Sequence, residues 1–150
     1  MRLVSVGGKN PVLLIKIEKC HKKVLKDIAS LIVDNEEFGS VKFVVFMEEK
    51  ADLSALNDVV WRAANNIDPA RDCFFVEKEG EKVPVLFMDA TRKTLEHDGF
   101  ERPWPNIVTM DKATIRTVDY KWEKYGIGKF IESPSLKYIE QLYPGGAVAE

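Results

Sequence analysis

The residue types that most often bind metal ions are scarce and scattered in this sequence. His21 and His97 are the only two histidines, and neither lies in an HxxxH or HExxH frame. Cys20 is adjacent to His21 at the end of a predicted strand, where neighbouring side chains point in divergent directions. Cys73 stands in no CxxC spacing. The pattern indicates ordinary residues rather than a metal site at these positions.

Sequence motifs for nucleophilic catalysis and for phosphate binding are also missing. The sequence contains no GxSxG nucleophile motif. Gly7 and Gly8 lack both the GxGxxG and the GK[ST] frames. Gly126 and Gly128, in the stretch YGIG, follow a predicted helix and indicate its C-cap instead.

Carboxylates are plentiful, and most fall at strand ends or in turns. These residues are Glu48, Glu49, Glu77, Glu79 and Glu81. A solvated rim is the simplest interpretation, because glutamate mostly stays exposed. Asp89 differs because it follows four apolar residues at the carboxyl end of a predicted strand, where open α/β sheets place ligands. The alternative for Asp89 is a local Asx-turn or an N-cap for Ala90–Thr94.

The elements that would position these residues alternate along the chain. Strands are predicted at Val12–Glu18, Lys42–Glu48, Cys73–Glu77 and Val83–Met88. A first helix is predicted from His21 to Val33, with apolar residues at 24, 28, 31 and 32. A second runs from Leu53 to Ile67, with Asp52 as its N-cap, apolar residues at 53, 56, 60, 63 and 67, and Pro69 beyond its end.

The order of these elements predicts a layered α/β sheet, because parallel strands are joined by helical crossovers. The charged turn KEGEK at 78–82 allows one antiparallel hairpin, so the sheet should be mixed. The sequence of residues 90–110 predicts an irregular segment that runs over the surface. Asp111 is expected to start a helix that ends near Gly126, and Ser135 a last short helix.

Composition and charge exclude several classes of protein. The chain has 150 residues, the size of one domain, and is 45% hydrophobic and 31% charged. Its net charge of −2 argues against a nucleic-acid binder. Two cysteines without a paired spacing favour a reducing cytoplasm. The apolar run VLLIKI is too short to span a bilayer, and MRLVSVGGKN lacks the apolar core of a signal peptide.

Several stretches, in the right order, carry a resemblance to a known family. LNDVVWRAANNIDPARD and FMDATRKT resemble the carboxyl-terminal domain of the UbiD-type decarboxylases, which include enzymes of the ubiquinone and menaquinone pathways. VLLIKIEKCHKKVLKDIA and KFVVFMEE resemble the preceding strand, helix and strand of that domain. The likeness runs from about Leu3 to Tyr143.

The resemblance implies a fold and a larger context. The fold is a three-layer α/β/α sandwich with a mixed, mostly parallel sheet and a C-terminal helical tail, in one domain over residues 1–150. In the family, other domains bind prenylated flavin mononucleotide (prFMN), manganese and potassium and carry the catalytic residues. This chain is therefore expected to bind no cofactor alone. Its expected partners are a flavin-binding domain of the same enzyme and further copies of itself, with no nucleic acid and no membrane span.

The resemblance also transfers a few site residues. Asn66 matches the position whose backbone carbonyl approaches the potassium site. Lys82, Val83 and Pro84 fall where relatives place apolar residues against the aromatic substrate, and the lysine at 82 departs from that pattern. A lysine that approaches the flavin in some relatives would fall near Asn35, and it is absent here.

Two further stretches are interpreted through the resemblance. Asp89, Thr91 and Lys93 match the family's DATRK turn, with no catalytic step assigned. In IDPARD, Asp68-Pro69 should stop the helix and Arg71 and Asp72 should tie a rigid corner electrostatically. The alternative is a plain connection between helix and strand.

The aromatic tail at 121–150 has two interpretations. It carries Trp122, Tyr125, Phe130, Tyr138 and Tyr143. In the family this region reaches across to a neighbouring subunit, and aromatic enrichment is typical of an interface. The alternative is a helix that folds back on its own sheet.

Three functions remain open on the sequence alone. The first is the closing and oligomerising domain of an aromatic-acid carboxy-lyase of the 3-polyprenyl-4-hydroxybenzoate type, inactive by itself. The second is a stand-alone oligomerisation or partner-binding module without enzymatic activity. The third is an unrelated small-molecule-binding α/β protein, for which an all-parallel doubly wound sheet with its own pocket would be expected.

Overall fold

The computed structural model describes residues 1–6, 9–77, 80 and 83–144, with the backbone alone for residues 5 and 6. The chain divides into two compact units, one up to Arg102 and one from Pro103 onwards. That residues 1–150 form one domain stays a prediction.

The first unit is built on a five-stranded mixed sheet in the order β1-β2-β3-β5-β4. Its strands are β1 (Arg2–Val6), β2 (Lys9–Ile17), β3 (Phe43–Glu48), β4 (Cys73–Val76) and β5 (Val85–Asp89). The central pairs β2–β3 and β3–β5 are parallel, and both edge pairs are antiparallel. The predicted α/β class with a mixed sheet is therefore confirmed, and so is the hairpin between β4 and β5.

Strand β1 was not predicted. It pairs antiparallel with β2, with Leu3 opposite Leu13 and Val6 opposite Lys9. A signal was present, because two apolar runs separated by Gly-Gly are typical of a hairpin. β1 is a short edge strand, and Leu3 is more than a third exposed, so its apolar pattern is weak.

Helices cover both faces of this sheet. They are α1 (Lys22–Val33), α2 (Leu56–Asn66), α3 (Pro69–Asp72) and α4 (Leu95–Asp98), with a 3-10 turn at Glu36–Phe38 between α1 and β3. α1 packs with Leu13, Phe46 and Phe87 in one core cluster. α2 packs with Leu14 and Met47 in a second cluster. The three-layer α/β/α sandwich is confirmed.

The buried face of α1 agrees with the predicted one only in part, since Ile32 is buried and Ile28 packs against the core, as predicted. Leu25, Ala29, Ile32 and Val33 are buried, whereas Leu31 is 71% exposed. Val24 is also exposed. Both stripes fit helical spacing. The buried stripe contains Ala29, which has no exposed area, and its small side chain lets the helix approach the sheet closely.

Helix α2 begins three residues later than predicted. Asp52 accepts a hydrogen bond from the Ser54 amide at 2.8 Å and forms a turn rather than the N-cap. Leu53 is still buried in the second core cluster, but from the loop before the helix. Val59 rather than Val60 faces the core, and Val60 is 66% exposed.

The second unit contains α5 (Lys112–Tyr125) and α6 (Ser135–Ile139). Asp111 caps α5 by accepting from the amides of Ala113 and Thr114, as predicted. Gly126 ends α5 with φ 62°, a conformation that glycine adopts without strain. In the described part of the chain, no helix has the length and apolar character needed to cross a membrane.

Candidate functional site

One edge of the sheet gathers most of the buried charge of the first unit. The carboxyl ends of the parallel strands β2, β3 and β5 meet there. Because β4 runs antiparallel to β5, its first residue also lies at this edge, with Cys73 opposite Met88. We call the polar set at this edge the carboxyl-edge network. It comprises Lys19, Glu48, Arg62, Asn66, Arg71, Asp72, Asp89, Thr91, Lys93 and Asp98.

Lys93 lies at the centre of the network. Its side chain is fully buried, and its Nζ atom lies 3.2 Å from Asp72 Oδ1 and 3.1 Å from Asp89 Oδ2. The same ammonium group donates to the backbone oxygen of Asp89 at 2.9 Å. Lys93 thus uses three donors on two carboxylates and one carbonyl, which satisfies a buried ammonium.

Lys19, just after β2, joins α4 to the same centre. Its Nζ atom lies 2.8 Å from Asp98 Oδ1 and 3.4 Å from Asp89 Oδ2. It also donates to Thr91 Oγ1 at 3.0 Å. The second oxygen of Asp98 accepts from the Thr94 amide at 2.8 Å. Helix α4, which lies within the stretch predicted to be irregular, is therefore held onto the sheet edge by charge.

The IDPARD stretch is a helical corner rather than a simple turn. Asp68 caps α3 by accepting from the Ala70 and Arg71 amides. Arg71 contacts Asp72 through Nε at 2.9 Å and Nη2 at 2.7 Å, and Asp72 also accepts from the Asp68 amide at 2.8 Å. The predicted electrostatic tie between Arg71 and Asp72 is confirmed.

Asn66 connects this corner to a second buried pair. Its Nδ2 atom donates to the Ala90 carbonyl at 2.8 Å and to Glu48 Oε1 at 3.3 Å. Arg62 Nη1 lies 3.1 Å from Glu48 Oε2. Glu48 is only 6% exposed, so the solvated-rim prediction was wrong for this residue. Its sequence position at a strand end could not reveal that α2 covers it.

The rest of the glutamate prediction divides in two. Glu49 and Glu77 are exposed, as a solvated rim requires. Glu79 and Glu81 lie outside the described residues. For Asp89, the Asx-turn interpretation is confirmed, since its Oδ1 accepts from the amide and the hydroxyl of Thr91. Asp89 also makes the ion pairs with Lys19 and Lys93, which the sequence did not reveal.

The charges of the network balance. Lys19, Arg71 and Lys93 face Asp72, Asp89 and Asp98, while Arg62 faces Glu48. Such a balance is what lets several charges remain buried together. The network therefore fixes the relative positions of β5, α3, α4 and the end of α2.

The two central carboxyl groups are held in their ionised form. Burial alone raises the pKa of Asp72, but hydrogen bonds from Arg71 and the Asp68 amide, together with Lys93, outweigh it and lower that pKa. Burial likewise raises the pKa of Asp89. The charge of Lys93 and the hydrogen bonds from Thr91 outweigh burial, so the net pKa of Asp89 is lowered. A general acid near neutral pH needs a raised carboxyl pKa. A lowered pKa therefore argues against either group as a general acid near neutral pH.

The lowered pKa values predict a stability loss in acid. The unfolded chain begins to bind protons on these carboxyls near about pH 4, before the folded chain does. The free energy of unfolding should then be constant above about pH 5 and fall below pH 4 by up to about 1.4 kcal/mol per pH unit for each carboxyl. Urea denaturation followed by circular dichroism at a series of pH values measures this. A loss that began near neutral pH would contradict the assignment.

The residues transferred from the family lie at two different edges of the sheet. Asn66 is 8% exposed at the carboxyl edge, and its backbone oxygen accepts from Arg71 Nη2 at 3.2 Å. Val83, 65% exposed, and Pro84 precede β5 at the opposite edge. The length of β5 separates the two places by about 13 Å, given the rise of a strand. Lys82 lies outside the described residues.

Asn35 lies on the same edge as Val83. It follows α1, whose antiparallel run returns the chain to the start of β3. Its side chain caps the 3-10 turn by accepting from the Glu37 amide at 2.9 Å. Asn35, near which the resemblance would place the family lysine, therefore has a local capping function.

The two histidines, distant in sequence, are neighbours in space. The rings of His21 and His97 lie 4.8 Å apart between centroids, and Thr94 Oγ1 lies 3.2 Å from His97 Nδ1. Sequence reasoning missed this contact, because nothing in the spacing links the start of α1 to α4. Among the residues that the structure describes, no three His, Cys, Asp or Glu side chains are grouped to hold a metal ion.

Both cysteines are free thiols near the network. Burial raises the pKa of Cys20, and the charge of Lys19 lowers it only in part. Burial and the charge of Asp72 raise the pKa of Cys73. A raised pKa leaves little thiolate at neutral pH, so neither cysteine has the properties of a nucleophile.

Comparison with known proteins matches this first unit to one family. Residues 1–95 match the 3-octaprenyl-4-hydroxybenzoate carboxy-lyase C-terminal domain. The chain belongs to this UbiD C-terminal domain family. A protein of Archaeoglobus fulgidus is 27% identical over 129 residues, which is 79% of this chain and 27% of that protein. A protein of Aeropyrum pernix is 30% identical over 102 residues, covering 61% of this chain and 21% of that protein.

Solved structures of a decarboxylase contain the same fold. The vanillic acid decarboxylase ShVdcCD of Sedimentibacter hydroxybenzoicus, in open form, is similar over 77% of this chain and 27% of its own, with 14% identity and a TM-score of 0.52. A second structure of it, with truncated ShVdcD, gives 15% identity and a TM-score of 0.50 over 77% and 26%. The chain spans about a quarter of the length of the curated relatives it matches.

Proposed function

We propose that this chain is the closing domain of an aromatic-acid carboxy-lyase of the 3-polyprenyl-4-hydroxybenzoate type. In this proposal it covers the substrate cavity of a flavin-binding domain, mediates oligomerisation and performs no chemistry alone. The observation that carries the proposal is the carboxyl-edge network, which is charge-balanced and largely buried, with lowered pKa values for Asp72 and Asp89 at its centre. Such a network gives a rigid edge that another domain can be positioned against.

The composition of the network supports a positioning role. Its core comes from IDPARD and DATRK, the two stretches by which the chain resembles the family. Asp72 and Asp89 have lowered pKa values and are paired with Lys93. A group that shuttled protons would need access and a pKa near the working pH, and these two carboxyls have neither.

The cofactors of the family belong to the other domains in this proposal. Bound prFMN would supply the decarboxylation chemistry, and manganese and potassium would hold it. Within the described ranges no group of acidic, histidine and cysteine side chains fits a metal. We therefore assign no step through these groups to the residues of this chain.

Asn66 is the one residue of this chain that we propose to approach a cation. Its carbonyl has two lone pairs, and Arg71 occupies one of them at 3.2 Å. The buried Asn66 amide fixes the direction of the backbone through Glu48 and Ala90. The second lone pair of a fixed carbonyl suits a monovalent cation held mainly by a partner domain.

The proposed cavity wall is the segment before β5. Val83 exposes 65% of its area and Pro84 is partly buried, so an apolar surface is available there. Phe75, on the neighbouring strand β4, is 67% exposed. Lys82, in the same segment, is proposed with them from the resemblance alone. These apolar side chains would be covered when the domain closes on its partner.

The surface of α2 supports a partner for the first unit. Leu56, Val60 and Trp61 are between 43% and 66% exposed on this helix. Exposed apolar groups that lie together mark interaction sites more often than scattered ones do. We propose that the flavin-binding domain covers this face. We also place the protein in the cytoplasm, because free thiols such as Cys20 and Cys73 persist in reducing compartments.

The association test uses the flavin-binding portion of a UbiD-class enzyme as the partner. Light scattering after size exclusion should show a complex with this chain. Val60→Glu on α2 should weaken that complex, whereas Val108→Glu in the second unit, with a similar exposure of 69%, should not. If neither variant changed association, or if no complex formed, the proposed partnership would be wrong.

The second unit favours the alternative function, a stand-alone oligomerisation module. Its exposed apolar residues include Tyr120, Ile127, Phe130 and Ile131, between 57% and 83% exposed. A largely apolar groove of about 240 Å³ lies between α5 and the segment around Ile131. Both functions share self-association, and only the first requires a flavin-binding partner.

Self-association through the tail is a prediction of its own. Truncation after Gly128 removes Phe130 and Ile131 and should convert the oligomer into a monomer, because apolar area drives association. Light scattering at several protein concentrations measures the mass. The double variant Phe130→Ser/Ile131→Ser should act in the same direction while it keeps the chain length. An unchanged mass for both variants would place the interface elsewhere.

A further inference from the structure

A cleft of about 200 Å³ opens in the first unit, beside α1, α3 and β4. Lys22, Lys26 and Arg71 line it with positive charge, and Leu25 and Phe74 give it an apolar wall. Lys22 and Lys26 are four residues apart on α1, so they project from the same face of the helix. The proposed closing function makes no use of these two lysines.

Lys22 and Lys26 are cations that the carboxyl-edge network does not neutralise. Lys22 Nζ donates to the Arg71 backbone oxygen at 2.6 Å, which is an uncharged acceptor. Across the described ranges, neither lysine forms a salt bridge. Every lysine and arginine of the network, in contrast, contacts a carboxylate. The cleft therefore carries two uncompensated positive charges in a chain whose net charge is −2.

The acidic residues that line the cleft are buried and paired. Asp72 and Asp89 are each 2% exposed. Asp72 is paired with Arg71 at 2.7 Å and with Lys93 at 3.2 Å, and Asp89 with Lys93 at 3.1 Å. Because these carboxylates are already paired with cations, Lys22 and Lys26 are the charged groups of the cleft wall without an ion-pair partner among the described residues.

We propose that this cleft binds a small organic phosphate, a phosphate monoester with an apolar substituent. Lysine ammonium groups bind phosphate as point charges, and two of them on one helix face match the two negative charges of a phosphate monoester. The guanidinium present, that of Arg71, already holds Asp72. The wall of Leu25 and Phe74 suits an apolar substituent. The cleft volume of about 200 Å³ is several times the volume of about 30 Å³ that one water molecule occupies. The cleft therefore has room for a phosphate group and a short substituent.

The test follows the backbone amides of the full chain by NMR during separate titrations with phenyl phosphate, inorganic phosphate and benzoate. At constant ionic strength, saturable shifts should centre on Leu25, Cys73 and Phe74, and phenyl phosphate should bind more tightly. The double variant K22Q/K26Q should weaken binding by about tenfold or more, the scale of a charged hydrogen bond. The matched variant K16Q/K23Q removes two exposed lysines outside the cleft and should leave binding unchanged.

Three results would overturn the proposal. Shifts that never saturate, or that are not centred on the cleft, would mean that no site exists. An equal loss of binding affinity in K16Q/K23Q would mean that the lysines act only through general attraction between charges. Tighter binding of benzoate than of phenyl phosphate, lost in K22Q/K26Q, would assign the cleft to carboxylates. The readout does not involve decarboxylation, so the proposed closing function stands or fails independently of it.

Discussion

Replacing Lys93 with methionine is expected to lower the free energy of unfolding by about 3–5 kcal/mol, the usual cost of removing one partner from a buried ion pair. The side chain of Lys93 is fully buried and lies 3.2 Å from Asp72 and 3.1 Å from Asp89. Methionine has a similar length but no charge, so two buried carboxylates would lose their shared cation. Guanidinium denaturation followed by circular dichroism measures the change.

Two further variants separate charge from packing in this prediction. Lys23→Met removes an exposed lysine and should change stability by no more than about 0.5 kcal/mol. Adding Asp89→Asn to Lys93→Met removes one of the stranded carboxylates, and the double variant should be less destabilised than the sum of the two single changes. A Lys93→Met protein within about 1 kcal/mol of the wild type would show that the network does not hold the edge.

The second large effect is expected for Arg62→Met on α2. Arg62 is 4% exposed and its Nη1 atom lies 3.1 Å from Glu48. Glu48 would keep only the Asn66 amide, at 3.3 Å, as a described side-chain partner. A buried carboxylate without its cation costs about 3–5 kcal/mol. Urea denaturation gives the difference in unfolding free energy.

The variant Arg62→Met has a direct control and a rescue. Arg116→Met, at an exposed position on α5, should be nearly neutral. Glu48→Gln combined with Arg62→Met should recover part of the loss, because a neutral amide costs less to bury than a carboxylate. If Glu48→Gln made the Arg62→Met protein still less stable, charge would not be the cause.

Periodicity predicted the central layers of this fold well. The apolar β2, β3 and β5 strands and the two helices between them follow from short apolar runs and from helical spacing. Periodicity did not determine which side of each helix faces the sheet. In α1, the predicted stripe at residues 24, 28, 31 and 32 and the buried stripe at residues 25, 29, 32 and 33 both fit helical spacing, and only packing against Leu13 and Phe46 selects the second.

The site was less predictable than the fold for a physical reason. Apart from Arg71 with Asp72 in α3, the ion pairs of the network join residues from different segments, such as Lys19 after β2 with Asp98 in α4. Sequence patterns report local periodicity and turn chemistry, so they identified the Asx-turn at Asp89. They could not report that Lys93 and Lys19 converge on the same carboxylate.

The IDPARD corner was predictable in part from the sequence, and its contacts to Asn66 are visible only in the structure. The proline and the Asp68 cap are readable from sequence, and both are present in α3. The resemblance singled out Asn66 for its carbonyl. The structure adds that Asn66 is fixed by Glu48, Ala90 and Arg71 together. A carbonyl so constrained can be offered to a partner domain in a single orientation.

The central claim is that this chain frames a reaction centre which another domain supplies. Its most direct test is carbon dioxide release from a panel of aryl acids by three samples: the chain alone, a prFMN-loaded flavin-binding portion of a UbiD-class enzyme alone, and the two together. We predict turnover from the mixture, little from the flavin-binding portion and none from this chain. Release of carbon dioxide by the chain alone, or a rate for the mixture no higher than that of the flavin-binding portion, would contradict the claim.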